Sequence, residues 1–441
     1  MAAIPGGIDP DAGPPMMIPL RHFLLALAFL VAAFSVAVAD AAGLIVDLGS
    51  IGFIHLFLVG WVCVTIMGAM TQFVPVWSGT PLHSQRLAGA QLWLVVVGVS
   101  LYGIAWIGQW GWLLAMGGSL LLFGFWVFVY NIARSLLPAR PWDITERHFA
   151  IALGYFFLLT ILGFLLALTV AEINVIGELP VGYGPIRSAH LTLAVFGAIL
   201  TTIYGALYQL STMFTQSEVT RIDTILQHVE EGTYPIGVFL LAIGRLLDAW
   251  AVAMIGGVLV IVGTLAAGTF LARRLIGARV AWTPMLSRYV VVVLALGIWL
   301  LGTAPAWAVE PLGHTARLGV PGSVSTVAIG VIGFVVFGTL YHVIPFIVWV
   351  HRYSDELGLT EVPMIDDLYD DRIARADFIF LVAGTGTVMT AEVVAMESIV
   401  TLGGLTGLLI GAVLFVANMG LVLRRHSPHS VGSLVIGRPS T

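Results

Sequence analysis

The chain has no lysine, so all 19 of its basic side chains are arginines. It has one cysteine, Cys63, which excludes an internal disulfide and reads as a small core residue. Charge of either sign is scarce: 10% of residues are charged, where an ordinary soluble domain is about a quarter charged. The net charge of −5 leaves no basic excess for a nucleic-acid partner. What fills the space is apolar. Hydrophobic residues make up 59% of the chain and the mean hydropathy is +1.01. Runs of about 20 apolar residues, the length that crosses a bilayer, recur from end to end. The composition therefore predicts an all-α integral membrane protein and disfavours a soluble bundle with long buried helices. The first run follows a lead containing Asp9, Asp11, Arg21 and His22, with no small-residue cleavage site. It reads as a retained helix rather than a cleaved signal peptide.

The pattern is organised around Ile54 to Trp77, IHLFLVGWVCVTIMGAMTQFVPVW, which returns in weaker form at Ala189 to Phe214 and Val324 to Trp349. Each copy carries two glycines eight positions apart: Gly60 and Gly68, Gly197 and Gly205, Gly330 and Gly338. Gly205 follows Gly68 by 137 residues, and Gly338 follows Gly205 by 133. Offsets of that size are too long for a solenoid and suit a four-helix unit used three times. About twelve spans are expected in one membrane domain, 1–441, with pseudo-repeats at 18–140, 141–278 and 279–425. The repeated stretch supplies the second, sixth and tenth helices.

Arginine sets the orientation. With every span crossing, one side receives sixteen arginines and the other only Arg187, Arg245 and Arg317. The positive-inside rule then puts both termini in the cytoplasm of a multi-pass plasma-membrane protein. The acidic stretch 351–375 reads as a solvated cytoplasmic loop, with docking of a partner as the alternative.

Ionisable groups inside spans are costly and are candidates for function. Seven histidines, His22, His83, His148, His228, His351, His426 and His429, fall near the inner side and read as headgroup neighbours. His55 and His190 open the second and sixth helices at nearly equal depth, and His314 lies in the outer loop before the tenth. Imidazoles on facing helices can ligate haem or a transition metal; hydrogen bonding across helices is the plainer alternative. In the repeat alignment Thr192 and Ser325 stand where His55 does. His342 matches Gln72 and Gln209, with Tyr208 and Tyr341 beside it. It lies about 25 Å deeper than His55, and a polar cluster or a separate metal ligand is expected there. Arg245 and Asp248, three apart, are expected to pair on one helical face. Glu392 and Glu397 lie near an outer turn and read as structural. Trp106, Trp110, Trp112, Trp299 and Trp307 are expected in an interfacial belt.

Twelve helices in three blocks with histidines on central helices resemble subunit I of the haem-copper oxidase superfamily. The wording HLFLVGWVCVTIMGAMTQFVPVWSG and GTLYHVIPFIVWVHRYSDELG is most similar to its divergent relatives, the small oxidase-subunit-I-like and NnrS-type haem-copper membrane proteins. The absence of lysine and the IDDLYDD loop resemble haloarchaeal sequences. The likeness spans the whole chain in topology and the three central helices in motif. It implies a haem on the outer side with His55 as ligand, a possible copper, and an electron donor such as a quinol, cupredoxin or cytochrome, or partner subunits. The family's paired histidines on the tenth helix are replaced by Ser325 and Thr326. Ala194 stands at the family's tyrosine position, and the seventh helix has no histidine. The resemblance therefore implies electron transfer, or nitric oxide or copper-linked stress handling, without dioxygen reduction. A cofactor-free structural or assembly subunit and a transporter are the alternatives. The three copies run in parallel, unlike inverted-repeat carriers.

Overall fold

The computed structural model describes residues 14–45, 49–173, 176–178, 181–320, 322–394 and 398–436. They form an all-helical protein with no strand among the described residues. Twelve long helices follow in order: α1 Met17–Ala41, α2 Ile51–Ser78, α3 Gln85–Gly108, α4 Gly111–Leu136, α5 Ile144–Val170, α6 Tyr183–Thr215, α7 Arg221–Leu246, α8 Trp250–Ile276, α9 Pro284–Val309, α10 Ser323–Arg352, α11 Asp371–Val394 and α12 Ser398–His426. A short helix, α13 Val431–Ile436, follows. Eleven of the twelve are long and apolar enough to cross a membrane. The exception, α7, has the length, 26 residues, but carries Arg221, Asp223, Glu230, Glu231 and Arg245. The sequence suggests that it starts near Tyr234, yet it begins thirteen residues earlier. Thr220 and Asp223 form a reciprocal capping box there, which satisfies the first orphan amides.

The start signals fall on one face. Ser84, Asp143, Thr220 and Thr283 cap α3, α5, α7 and α9 through their side chains. The helices that start on the other face, α4, α6, α8 and α10, have no side-chain cap. Arg21 Nε donates to the Leu434 carbonyl at 2.9 Å and so ties the start of α1 to α13.

The three blocks repeat in packing as well as in sequence. Within each, the third and fourth helices pair most extensively, α3 with α4, α7 with α8 and α11 with α12. The first helix crosses the glycine pair of the second. A Cβ at Gly60, Gly197 or Gly330 would meet Phe29, Tyr155 or Ala295, and one at Gly68, Gly205 or Gly338 would meet His22, His148 or Tyr289 and Arg288. Without a hydrophobic drive between helices in lipid, such close approach is where packing energy is gained. The central helices α2, α6 and α10 are buried over 67%, 83% and 89% of their apolar stretches. Outward faces present Ile104, Phe123, Leu294 and Leu301, which suits lipid contact.

One feature of the central helices was not legible in the sequence. Each widens from α to π geometry over eight residues, Leu56–Cys63, Leu193–Leu200 and Thr326–Gly333. The offsets, 137 and 133 residues, are those of the glycines, and Gly60, Gly197 and Gly330 occupy the fifth place of each segment. π-segments of this kind are uncommon and gather at functional sites.

Candidate functional site

The residue immediately before each π-segment is His55, Thr192 or Ser325, the three positions that the sequence aligns. Each sits at the uncapped end of the bundle and each does something different. Ser325 donates to the exposed Glu392 carboxylate, while Glu397 lies outside the described residues. Thr192 Oγ1 accepts from Arg245 Nη1 at 2.8 Å. His55 donates from Nδ1 to the Ile51 carbonyl at 2.8 Å, one turn back on its own helix. A carbonyl can only accept, so the proton is on Nδ1 and the Nε2 lone pair is free. The ring lies against Tyr102, with centroids 4.6 Å apart. Trp106 is next along α3, with its buried indole N–H unpartnered.

His190 is held the same way by a different helix. Its Nδ1 donates to the Leu159 carbonyl of α5 at 2.9 Å. Gly163, one turn on, makes room: a Cβ there would lie 2.8 Å from the His190 ring. His55 and His190 lie within electrostatic range of one another. The structure thus brings together two imidazoles from separate blocks, each with Nδ1 on a main-chain carbonyl and Nε2 available. A backbone partner on the far ring nitrogen is how ligating histidines are usually fixed.

His314 does not join them. It is exposed beside Gly184, about 9 Å outward of His190 along α6. Its Nδ1 accepts from Arg317 Nη2 at 2.7 Å, which leaves the proton on Nε2. His342 packs between Phe214, at 4.3 Å between centroids, and Phe346, at 5.9 Å. The expected cluster of Gln72, Gln209, Tyr208 and Tyr341 divides. Gln209 donates to Asp143 at 3.3 Å, the buried Gln72 Oε1 has no partner, and the two tyrosines serve separate carboxylates. Among the described residues no group of three or more His, Cys, Asp or Glu gathers as a metal site.

Arg245 and Asp248 do not pair, because α7 ends at Leu246 and Asp248 lies beyond it with φ +53°. Arg245 turns inward instead. It donates to the carbonyls of Pro311 and Arg317 and to Thr192, and stacks over Trp307 at 5.0 Å. Arg317 reaches Ser188 at 2.7 Å and has Arg187 as an electrostatic neighbour. The three arginines that the sequence placed outside therefore converge. Trp299 and Trp307, expected in the interfacial belt, are buried and donate to Leu318 and Ala316 carbonyls.

Two histidines expected among headgroups are also buried, and they belong to networks that sequence reasoning missed. In the second block His148 Nε2 lies 2.8 Å from Glu230 Oε2, and Tyr208 donates to the same oxygen at 2.7 Å. In the third block Arg288 and Tyr341 bond the two oxygens of Asp377, and Asn418 donates to Tyr341 at 3.2 Å. Tyr208 and Tyr341 each stand three residues after the second glycine of their helix, and Thr71 holds that place in the first block. There His22 Nε2 and both amide atoms of the buried Gln91 are unpartnered. The cue was present: two adjacent carboxylates, Glu230 and Glu231, before an apolar run. With α7 begun at Tyr234, they read as loop.

Comparison with known families finds no family model that matches the chain, and comparison with curated proteins finds no match.

Proposed function

We propose that the protein is a haem-binding, oxidase-subunit-I-like membrane protein that moves electrons or handles nitric oxide, with His55 and His190 as iron ligands. One observation carries this reading: two imidazoles from different blocks lie within electrostatic range of one another, each with Nδ1 anchored on a main-chain carbonyl. The surroundings are aromatic: Tyr102 lies against the His55 ring and Trp106 is next along α3, while Gly163 makes the room that the His190 ring occupies against α5. Bound there, haem would supply one-electron chemistry at iron, tuned by its axial ligands and surroundings.

The protein's own part is positioning. The Ile51 and Leu159 carbonyls keep each proton on Nδ1 and leave Nε2 as the lone-pair nitrogen, and Tyr102 packs on the His55 ring. Arg187, Arg245 and Arg317 put positive charge at the same end of the bundle, on the Thr192 face of α6 rather than the His190 face. Copper would need a further ligand beyond this pair. The orientation that completes the reading has both termini in the cytoplasm of the plasma membrane, so that the histidine pair is outside.

A visible absorption spectrum of purified protein tests the proposal. A low-spin haem spectrum is expected, lost in His55→Ala and converted to a high-spin, carbon-monoxide-binding form in His190→Ala. Wild-type protein without haem or metal would end the reading and leave a cofactor-free structural subunit.

A further inference from the structure

The second-block network obliges a proton. His148 Nδ1 lies 2.7 Å from the Ile144 carbonyl, which can only accept, so Nδ1 carries a hydrogen. Nε2 lies 2.8 Å from Glu230 Oε2, and both side chains are fully buried. A bare imidazole lone pair cannot rest against a carboxylate oxygen at that distance. One more proton must sit between them, as imidazolium with carboxylate or as imidazole with carboxylic acid. Tyr208 already donates to the same oxygen. The other oxygen, Glu230 Oε1, is buried without a partner. The Tyr204 and Thr264 hydroxyls have no partner but each other, and Tyr204 lies within electrostatic range of Glu230. A small, mostly apolar cavity of about 10 Å³ lies against Tyr204 and Tyr208.

We propose that His148 and Glu230 form a dissociable proton-binding site within the second block, served by Tyr208 and flanked by Tyr204 and Thr264. Taking up the proton closes the 2.8 Å contact. Losing it to bulk water turns the pair repulsive and lets the carboxylate turn toward the Tyr204 and Thr264 hydroxyls. One proton moves, and no electron does. The groups that face the pair are neutral or already matched. Tyr155 donates to the Pro235 carbonyl and Tyr234 to that of Phe196, and Glu231 is paired with Arg147. The third block shows the closed alternative. There Arg288, a permanent cation, takes the place of His148, and both Asp377 oxygens are engaged. The site is independent of any cofactor at His55.

Infrared difference spectra of the full-length protein in lipid nanodiscs, recorded across a pH titration, test this. Wild type should show a carboxyl and imidazole transition that disappears in Glu230→Gln and in His148→Arg, which rebuilds the third-block pair. Asp377→Asn should keep it. Persistence of the full transition in Glu230→Gln or His148→Arg would overturn the proposal, as would a transition that moves with sodium concentration at fixed pH. Should neither variant fold, nitrogen NMR of histidine-labelled wild type decides. A buried imidazole that gains and loses its Nε2 proton with pH supports the site. Buried histidine nitrogens and a buried carboxyl band that both stay unchanged at every pH refute it.

Discussion

The second and third blocks place the same polar construction at the same point of the same scaffold and close it differently. A first-helix side chain, a tyrosine three residues after the second glycine and a third-helix carboxylate meet in both. Arg288 cannot give up its proton, so the Arg288–Asp377 pair is a fixed clamp. His148 can, so the His148–Glu230 pair is conditional, and Glu230 keeps a spare oxygen with the Tyr204 and Thr264 hydroxyls nearby. The glycine crossings beneath differ in the same sense. A Cβ at Gly205 would meet His148 Cβ at 2.5 Å, whereas at Gly338 the nearest atom is Tyr289 Cε1 at 3.0 Å. A repeat can thus conserve packing while exchanging a structural ion pair for a titratable one.

The sharpest break of this comparison is Arg288→Met. It strands the buried Asp377 charge, and removing one partner of a buried pair costs about 3–5 kcal/mol. A marked drop in the thermal unfolding midpoint in detergent should follow, with His148→Met costing clearly less because Glu230 can neutralise by holding the proton. Equal losses would erase the distinction between the clamp and the conditional pair.

A smaller effect separates the crossings. Gly205→Ala has no room without moving α5 off α6 and should cost about 1–3 kcal/mol, as overpacking does. Gly338→Ala should cost less, since the Tyr289 ring edge can give by a few tenths of an ångström. Unfolding midpoints of the two variants, measured side by side, check the order.

The smallest effect lies at the edge of the third block. Asp370 accepts from the Arg372 amide at 2.8 Å and the Ile373 amide at 3.3 Å at the start of α11. Those amides hold its carboxyl below the usual range. A carboxyl lowered by folding contributes stability above its unfolded value and loses it as pH falls through the folded one. The wild type should therefore lose a little more stability on acidification than Asp370→Ala does, read from unfolding midpoints at neutral and acid pH.

The all-helical class, the membrane solvent and the three central helices were legible because length, hydropathy and glycine spacing are local or periodic properties of the chain. The partners were not. His148 and Glu230 are 82 residues apart, and Arg288 and Asp377 are 89. Nothing local distinguishes His148 from an interfacial histidine, because its burial depends on α5 lying over Gly205. Asp248 leaves the helical face of Arg245 once α7 stops at Leu246, a boundary that only the packed ends decide. The π-segments are likewise a tertiary product: the widened turn carries no residue that demands it, only a glycine against which a neighbouring helix closes. By itself the sequence determined the helical class, the apolar spans and which three helices lie at the centre. The tertiary structure alone decided which polar groups meet, because burial and pairing are settled between helices.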